Sequence, residues 1–150
     1  MRARSALPDT QVMVPSAQRL RCFIVDDNVD FLDAGRELLE REGITVVGVA
    51  STSAAAMWGV AELEPDVMLV DIELGEENGF ELAERVYHHG GPTPPPVILT
   101  SARAEQDIAD MVAASSAVGF LAKSALSSGA IRALLAAADY GNPLSEHRER

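Results

Sequence analysis

The sequence predicts a doubly wound α/β fold, with parallel strands layered between helices. Three observations carry that expectation. Five short apolar runs alternate with five stretches of helical pattern, as in βα units joined in series by right-handed crossovers. The runs lack the apolar–polar alternation of a sheet with one wet face, so both faces of each strand are expected to be covered. Polar residues able to do chemistry follow the runs, and in such a sheet the carboxyl ends of the strands share one edge, where ligands bind.

The first run, residues 22–25, ends at Asp26-Asp27-Asn28. A helix over about 30–42 follows, with Phe31, Leu32, Leu38 and Leu39 facing inward and Gly43 as its stop. Residues 44–50 are β-branched and strand-like. The Ala-rich stretch 53–63 reads as a helix broken by Pro65, and Trp58 on it is expected to pack. Residues 67–70 are wholly apolar and run into Asp71. Asn78 followed by Glu81 has the spacing of a helix N-terminal capping pair, opening a helix to about 87. Residues 88–96 hold Gly90, Gly91 and four prolines and read as a loop, with His88 and His89 solvated and Pro94–Pro96 stiffening it rather than docking a partner. Residues 97–99 lead into Thr100, and a helix over about 104–114 follows. The last run, 118–121, is followed by Lys123, and Ser127 is placed to cap a final helix to about 139.

At 150 residues and 47% hydrophobic, the chain suits one domain able to bury roughly 70% of its unfolded surface. Residues 20–139 are that domain, between a flexible arm over 1–19 and a flexible tail over 140–150. The net charge is −11, unevenly spread: the first 21 residues carry four arginines against Asp9, whereas 22–140 carry six cations against 20 acids. So acidic a body repels nucleic-acid phosphates, so the domain is not expected to bind DNA or RNA. The single cysteine, Cys22, excludes an intrachain disulfide and reads as a small core residue. No signal-peptide pattern and no apolar stretch near ~20 residues is present, which points to a soluble cytoplasmic protein without a membrane role.

The chemistry lies in what meets at the strand ends. Asp26, Asp27 and Asp71 would converge there with Thr100 and with Lys123, the only lysine in the chain. Gathered carboxylates repel one another. Lys123 offsets part of that, and a divalent cation can offset more. Mg2+ takes hard oxygen ligands, commonly one or two carboxylates plus phosphate oxygens and water, and the three aspartates suit it. They do not suit zinc, which takes His or Cys, and no twelve-residue calcium loop is present.

Taken together, these residues give the chain a close resemblance to the receiver domains of two-component response regulators, the CheY-like family. It rests on Asp26-Asp27 after the first strand, Asp71 after the third, Thr100 after the fourth and Lys123 after the fifth, with Gly79 eight residues past Asp71 and Phe120 three before Lys123. The resemblance implies a flavodoxin-like (βα)5 sandwich with a five-stranded parallel sheet of order 2-1-3-4-5. It implies that Asp71 accepts a phosphoryl group from a sensor histidine kinase or a phosphotransfer protein. Mg2+ would be held by Asp26, Asp27, Asp71 and the backbone carbonyl of Glu73, while Thr100 and Lys123 contact the phosphoryl group. It further implies that Thr100 and Phe120 switch the face built by the fourth helix, fifth strand and fifth helix, which would meet a downstream protein or a second copy. Such a protein is a phosphoacceptor with self-catalysed transfer and autodephosphorylation, not a turnover enzyme. Gly75 stands where the family often has proline and is expected to loosen its loop; Ser124 stands where proline often follows the lysine.

Other readings stay open at this level. Only about ten residues follow the last helix, too few for a DNA-binding domain, so a stand-alone receiver is expected, with a DNA-binding response regulator cut short of its output domain as the alternative. A pseudo-receiver acting without phosphorylation is a further alternative, although the acidic pocket is complete. A phosphatase with an aspartyl-phosphate intermediate would place an acid where Glu73 stands, yet leaves Asp26-Asp27 unexplained. The glycine signatures of nucleotide sites are absent.

Overall fold

A computed structural model describes residues 19–102 and 108–140 of the chain. They form β1 (Arg21–Val25), α1 (Val29–Arg41), β2 (Thr45–Ala50), α2 (Ser53–Leu63), β3 (Val67–Asp71), the two-residue strands β4 (Glu73–Leu74) and β5 (Glu77–Asn78), α3 (Gly79–His89), β6 (Val97–Ser101), α4 (Ala109–Ala114), β7 (Gly119–Ala122) and α5 (Ser128–Tyr140), with a 3-10 turn over Lys123–Ala125 before the last helix. The five long strands pair in parallel in the order β2-β1-β3-β6-β7. With the small β4–β5 hairpin set aside, this is the expected 2-1-3-4-5 arrangement.

Both faces of the sheet are covered, as the unbroken apolar runs require. Successive side chains on a strand point to opposite faces. Cys22 and Ile24 of β1, Val67 and Leu69 of β3, and Ile98 of β6 therefore join Leu32 and Leu39 of α1 and Ile131 of α5 in one cluster. Their neighbours Phe23, Val25, Met68, Val70, Val97 and Leu99 join Ala56 and Val60 of α2 and Leu82, Ala83 and Val86 of α3 in the other. Cys22 is a core residue, and burial pushes its thiol up to about 12. Almost no thiolate forms near neutrality, and the thiolate is the reactive species. The native protein is therefore expected to resist aromatic disulfide reagents in mildly alkaline buffer and to react at once when unfolded in urea. Rapid labelling of the native protein would show that this core opens.

The ends of the helices explain the loops that lead to the site. Asn28 caps α1 by accepting from the Phe31 amide, and Gly43 beyond its end lies at φ +94. Ser127 accepts from the Ala130 amide at the start of α5. Glu64, after α2, is in the left-handed region at φ 48, a position usually taken by glycine. There the Arg21 guanidinium accounts for the free carbonyls, donating to Leu63 O and Glu64 O at 2.7 Å each.

Several expectations are corrected. Helix α3 continues to His89, so His88 and His89 are exposed on its last turn rather than in the loop. Trp58 does not pack: it is 64% exposed. The small residues Ala56 and Gly59 face inward instead, because the Phe23 ring occupies the space a larger side chain would need at Gly59. Gly75 has a geometric role in its loop that was not expected. It sits at φ +61 in the turn of the hairpin, whose strands pair Glu73 with Asn78 and Leu74 with Glu77, and proline, fixed near −65°, cannot adopt that angle. Arg19, assigned to the arm, donates to Thr45 Oγ1 at 2.9 Å. The rest of the arm, the tail beyond residue 140 and the expected start of the fourth helix near Ala104 lie outside the described residues.

Candidate functional site

The carboxyl ends of β1, β3 and β6 meet as the topology demands. Asp26 directly follows β1, and its amide donates to Ala50 O at 3.0 Å, carrying the sheet ladder one residue past the strand. Its side chain is fully buried, and Oδ1 accepts from the Asn28 amide at 2.9 Å. Asp71 is the last residue of β3 and lies level with Thr100 of β6. Asp71 Oδ1 accepts from the Glu73 amide at 3.2 Å. Asp27 is exposed at the rim. Each of the three aspartates offers a carboxylate oxygen within 4.8 Å of the others.

Lys123 enters from the 3-10 turn after β7 and is the cation that faces them. Its Nζ lies 2.7 Å from Asp26 Oδ2 and 3.2 Å from Asp71 Oδ2, and its side chain is 19% exposed. The contact with Asp71 is a directed hydrogen bond. The shorter one, to Asp26 Oδ2, is an ion pair, and the ammonium is the group that faces this buried oxygen. The face of the Phe31 ring, on α1, lies 4.6 Å from the same ammonium.

The electrostatics follow from one ammonium against three carboxylates. Burial pushes the Asp71 carboxyl above its ordinary value, and the charge of Asp26 adds to that; the Glu73 amide and Lys123 pull the other way without cancelling it. Burial pulls Lys123 down, but the contacts with Asp26 and Asp71 outweigh it and hold the ammonium above its ordinary value. The pocket therefore holds a firmly charged cation and an excess of negative charge. Hard oxygen donors gathered within 4.8 Å and one ammonium against three carboxylates together fit a divalent cation such as Mg2+.

Thr100 and Phe120 occupy the expected places. Thr100 is buried at the end of β6; Phe120 pairs with Leu99 in register and is half-buried against the core cluster of the α2–α3 face. Sequence reasoning missed three contributors. Phe31 packs against the core cluster as expected, but that its ring also faces Lys123 was not foreseen. Glu77 of the hairpin accepts from the Ser53 amide at 2.8 Å, tying the loop after Asp71 to the start of α2. Gly75 brings the hairpin turn against Asp27, whose Oδ2 would stand 3.5 Å from a Cβ there. Only Gly75 left a signal, as a glycine in place of a proline.

A (βα)5 sheet with an acidic pocket and a lysine at its carboxyl edge defines the receiver class. The chain belongs to that family: the model of the response regulator receiver domain matches residues 22–136. It is 31% identical over 85 residues to a protein-glutamate methylesterase/protein-glutamine glutaminase of Halobacterium salinarum, covering 57% of this chain and 24% of that one. It is 34% identical over 85 residues to the transcriptional regulatory protein YvfU of Bacillus subtilis, covering 56% and 42%. The signal receiver domain of NarL from Mycobacterium tuberculosis superposes with a TM-score of 0.69 at 29% identity, covering 81% of this chain and 97% of that one. The chain thus spans less than half the length of these two curated relatives, and what it shares with them is the receiver of a two-component response regulator. No helix among the described residues is long and apolar enough to cross a membrane.

Proposed function

We propose that Asp71 is the phosphoacceptor of a phosphorelay and that its phosphorylation switches a protein-binding face. The observation that carries this reading is the placement of Asp71 at the end of β3, its carboxylate 3.2 Å from Lys123 Nζ and beside the oxygens of Asp26 and Asp27. In the transfer, an Asp71 carboxylate oxygen bonds to the phosphorus of a phosphohistidine on a histidine kinase or phosphotransfer protein. The phosphorus–nitrogen bond breaks and its electron pair returns to the imidazole. Catalysis is positioning and charge neutralisation. Asp26, Asp27, Asp71 and the Glu73 backbone carbonyl would hold Mg2+, which would supply charge neutralisation for the transferred group. Lys123 pairs with one of the phosphoryl oxygens as a compact point charge, and the Thr100 hydroxyl donates to another.

An aspartyl phosphate adds charge and acceptor oxygens. Thr100 turning toward them opens space behind it, which Phe120 fills by moving inward from its half-buried place. That remodels the face formed by α4, β7 and α5, where a downstream protein or a second copy would bind. The domain acts in the cytoplasm, as an acceptor rather than a turnover enzyme.

Acetyl phosphate with Mg2+ tests the assignment. The wild-type chain is expected to gain one phosphoryl group by intact-mass measurement, the gain to disappear in EDTA, and Asp71→Asn to stay unlabelled. Equal labelling of the wild type and Asp71→Asn would remove Asp71 as the acceptor.

A further inference from the structure

We infer that Phe31 is a positioning residue for Lys123, holding the ammonium beside Asp71 through the face of its ring. The consequence for phosphorylation rests on the reading of Asp71 as phosphoacceptor; the contact itself does not. The ring centroid lies 4.6 Å from Nζ, within the range of attraction between a cation and an aromatic face. Lys123 Nζ is thus held from three directions: Asp26 at 2.7 Å, Asp71 at 3.2 Å and the ring. The ring differs from the carboxylates in one useful respect. It attracts the charge without accepting a directed hydrogen bond, so all three N–H donors stay available to oxygens. A lysine stem is long and conformationally free. Two carboxylates alone would let the ammonium settle on buried Asp26, the shorter of its contacts. The ring adds a third attraction, 4.6 Å from Nζ, that restricts where the ammonium can sit.

The backbone that carries the ring is tied to the acidic loop. Asn28, two residues after Asp26, accepts from the Phe31 amide at 3.2 Å, so the turn that presents the carboxylates also sets the backbone of Phe31. One turn further along α1 stands Gly35, buried and without a side chain; the Phe31 ring edge lies 4.0 Å from where its Cβ would be. A Cβ there would make only ordinary van der Waals contacts, with Leu126 and Ile24 nearer than the ring.

The sole lysine makes the test selective. In protein labelled with 13C-lysine, one ε-methylene resonance reports Lys123, and a ring facing Nζ displaces it. Phe31→Leu and Phe31→Met, which keep apolar bulk without a ring, are expected to shift that resonance toward the free-lysine position, whereas Phe31→Tyr keeps it. The same two ringless variants are expected to need roughly three- to tenfold more acetyl phosphate for half-maximal phosphorylation in Mg2+, with the final extent unchanged, and Phe31→Tyr to behave as the wild type. A resonance unmoved in both ringless variants, or moved equally in Phe31→Tyr, overturns the inference. A wild-type chain that takes no phosphoryl group counts against the Asp71 reading instead, and the resonance then decides Phe31 by itself.

Discussion

Gly79→Ala is expected to destabilise the protein by about 3 kcal/mol, although helix propensity by itself favours alanine over glycine by about 1 kcal/mol. Gly79 is the first residue of α3, and its amide donates to Ile72 O at 2.9 Å. A Cβ there would overlap the carbonyl oxygen of Asp71 and stand 2.8 Å from Ile72 Cα. Both neighbours are backbone, of the last residue of β3 and the residue after it, so no rotamer change relieves the contact. Either the helix lifts from the sheet or the end of β3 shifts, and the second displaces Asp71 from Lys123. Gly129→Ala is the control. Its Cβ would meet only Ser127 Oγ, at 3.9 Å, and it should gain up to about 1 kcal/mol from propensity. Urea unfolding of the two variants should therefore move in opposite directions from the wild type. A Gly79→Ala midpoint at or above the wild-type value would show that α3 is not clamped on the strand.

The glycine illustrates what the sequence could and could not convey. Its presence at that spacing from Asp71 was legible; its reason, contact with strand backbone, is tertiary. The strand ends were legible because each depends on a short apolar run and the polar residue that ends it, and sheet topology alone then brings Asp26, Asp71 and Thr100 to one edge. Trp58 was misread because α2 is apolar nearly all round, so periodicity does not say which side is buried; the Phe23 ring decides that through Gly59. The β4–β5 hairpin escaped notice because its strands are two residues long and their pairing depends on Gly75 at positive φ. Phe31 fitted the apolar stripe of α1, and nothing local indicates that a lysine ninety-two positions later lies over its ring.

Lys123→Met is expected to cost about 2–4 kcal/mol at neutral pH without divalent cations, because removing one partner of a buried ion pair strands the other. Asp26 is fully buried, and the ammonium is the cation that both it and Asp71 contact. The lower half of that range reflects the part of Lys123 that reaches solvent, where screening weakens the pair. The pH dependence separates charge from packing. In the wild type, Lys123 titrates above its ordinary value when folded, so its contribution is complete below the unfolded value and is lost as pH rises through the folded one. Asp71 also titrates above its ordinary value. The folded state favours its protonated form, so that contribution is present in acid and is already lost once pH has risen through the folded value. It follows that Asp71→Asn, which removes the buried charge, should stabilise the cation-free protein at neutral pH even though it removes the proposed phosphoacceptor. In Lys123→Met the carboxylates lose their counter-charge, so the deficit should narrow as pH falls through the carboxyl range. It should also narrow when Mg2+ is added and when Asp71→Asn is combined with it. Thermal unfolding of the two single variants and the double variant, in EDTA and in Mg2+ across that range, supplies every comparison. A deficit that ignores pH, Mg2+ and Asp71→Asn alike would mean that Lys123 acts through the packing of its stem, and that the ammonium does not offset the charge of the aspartate cluster.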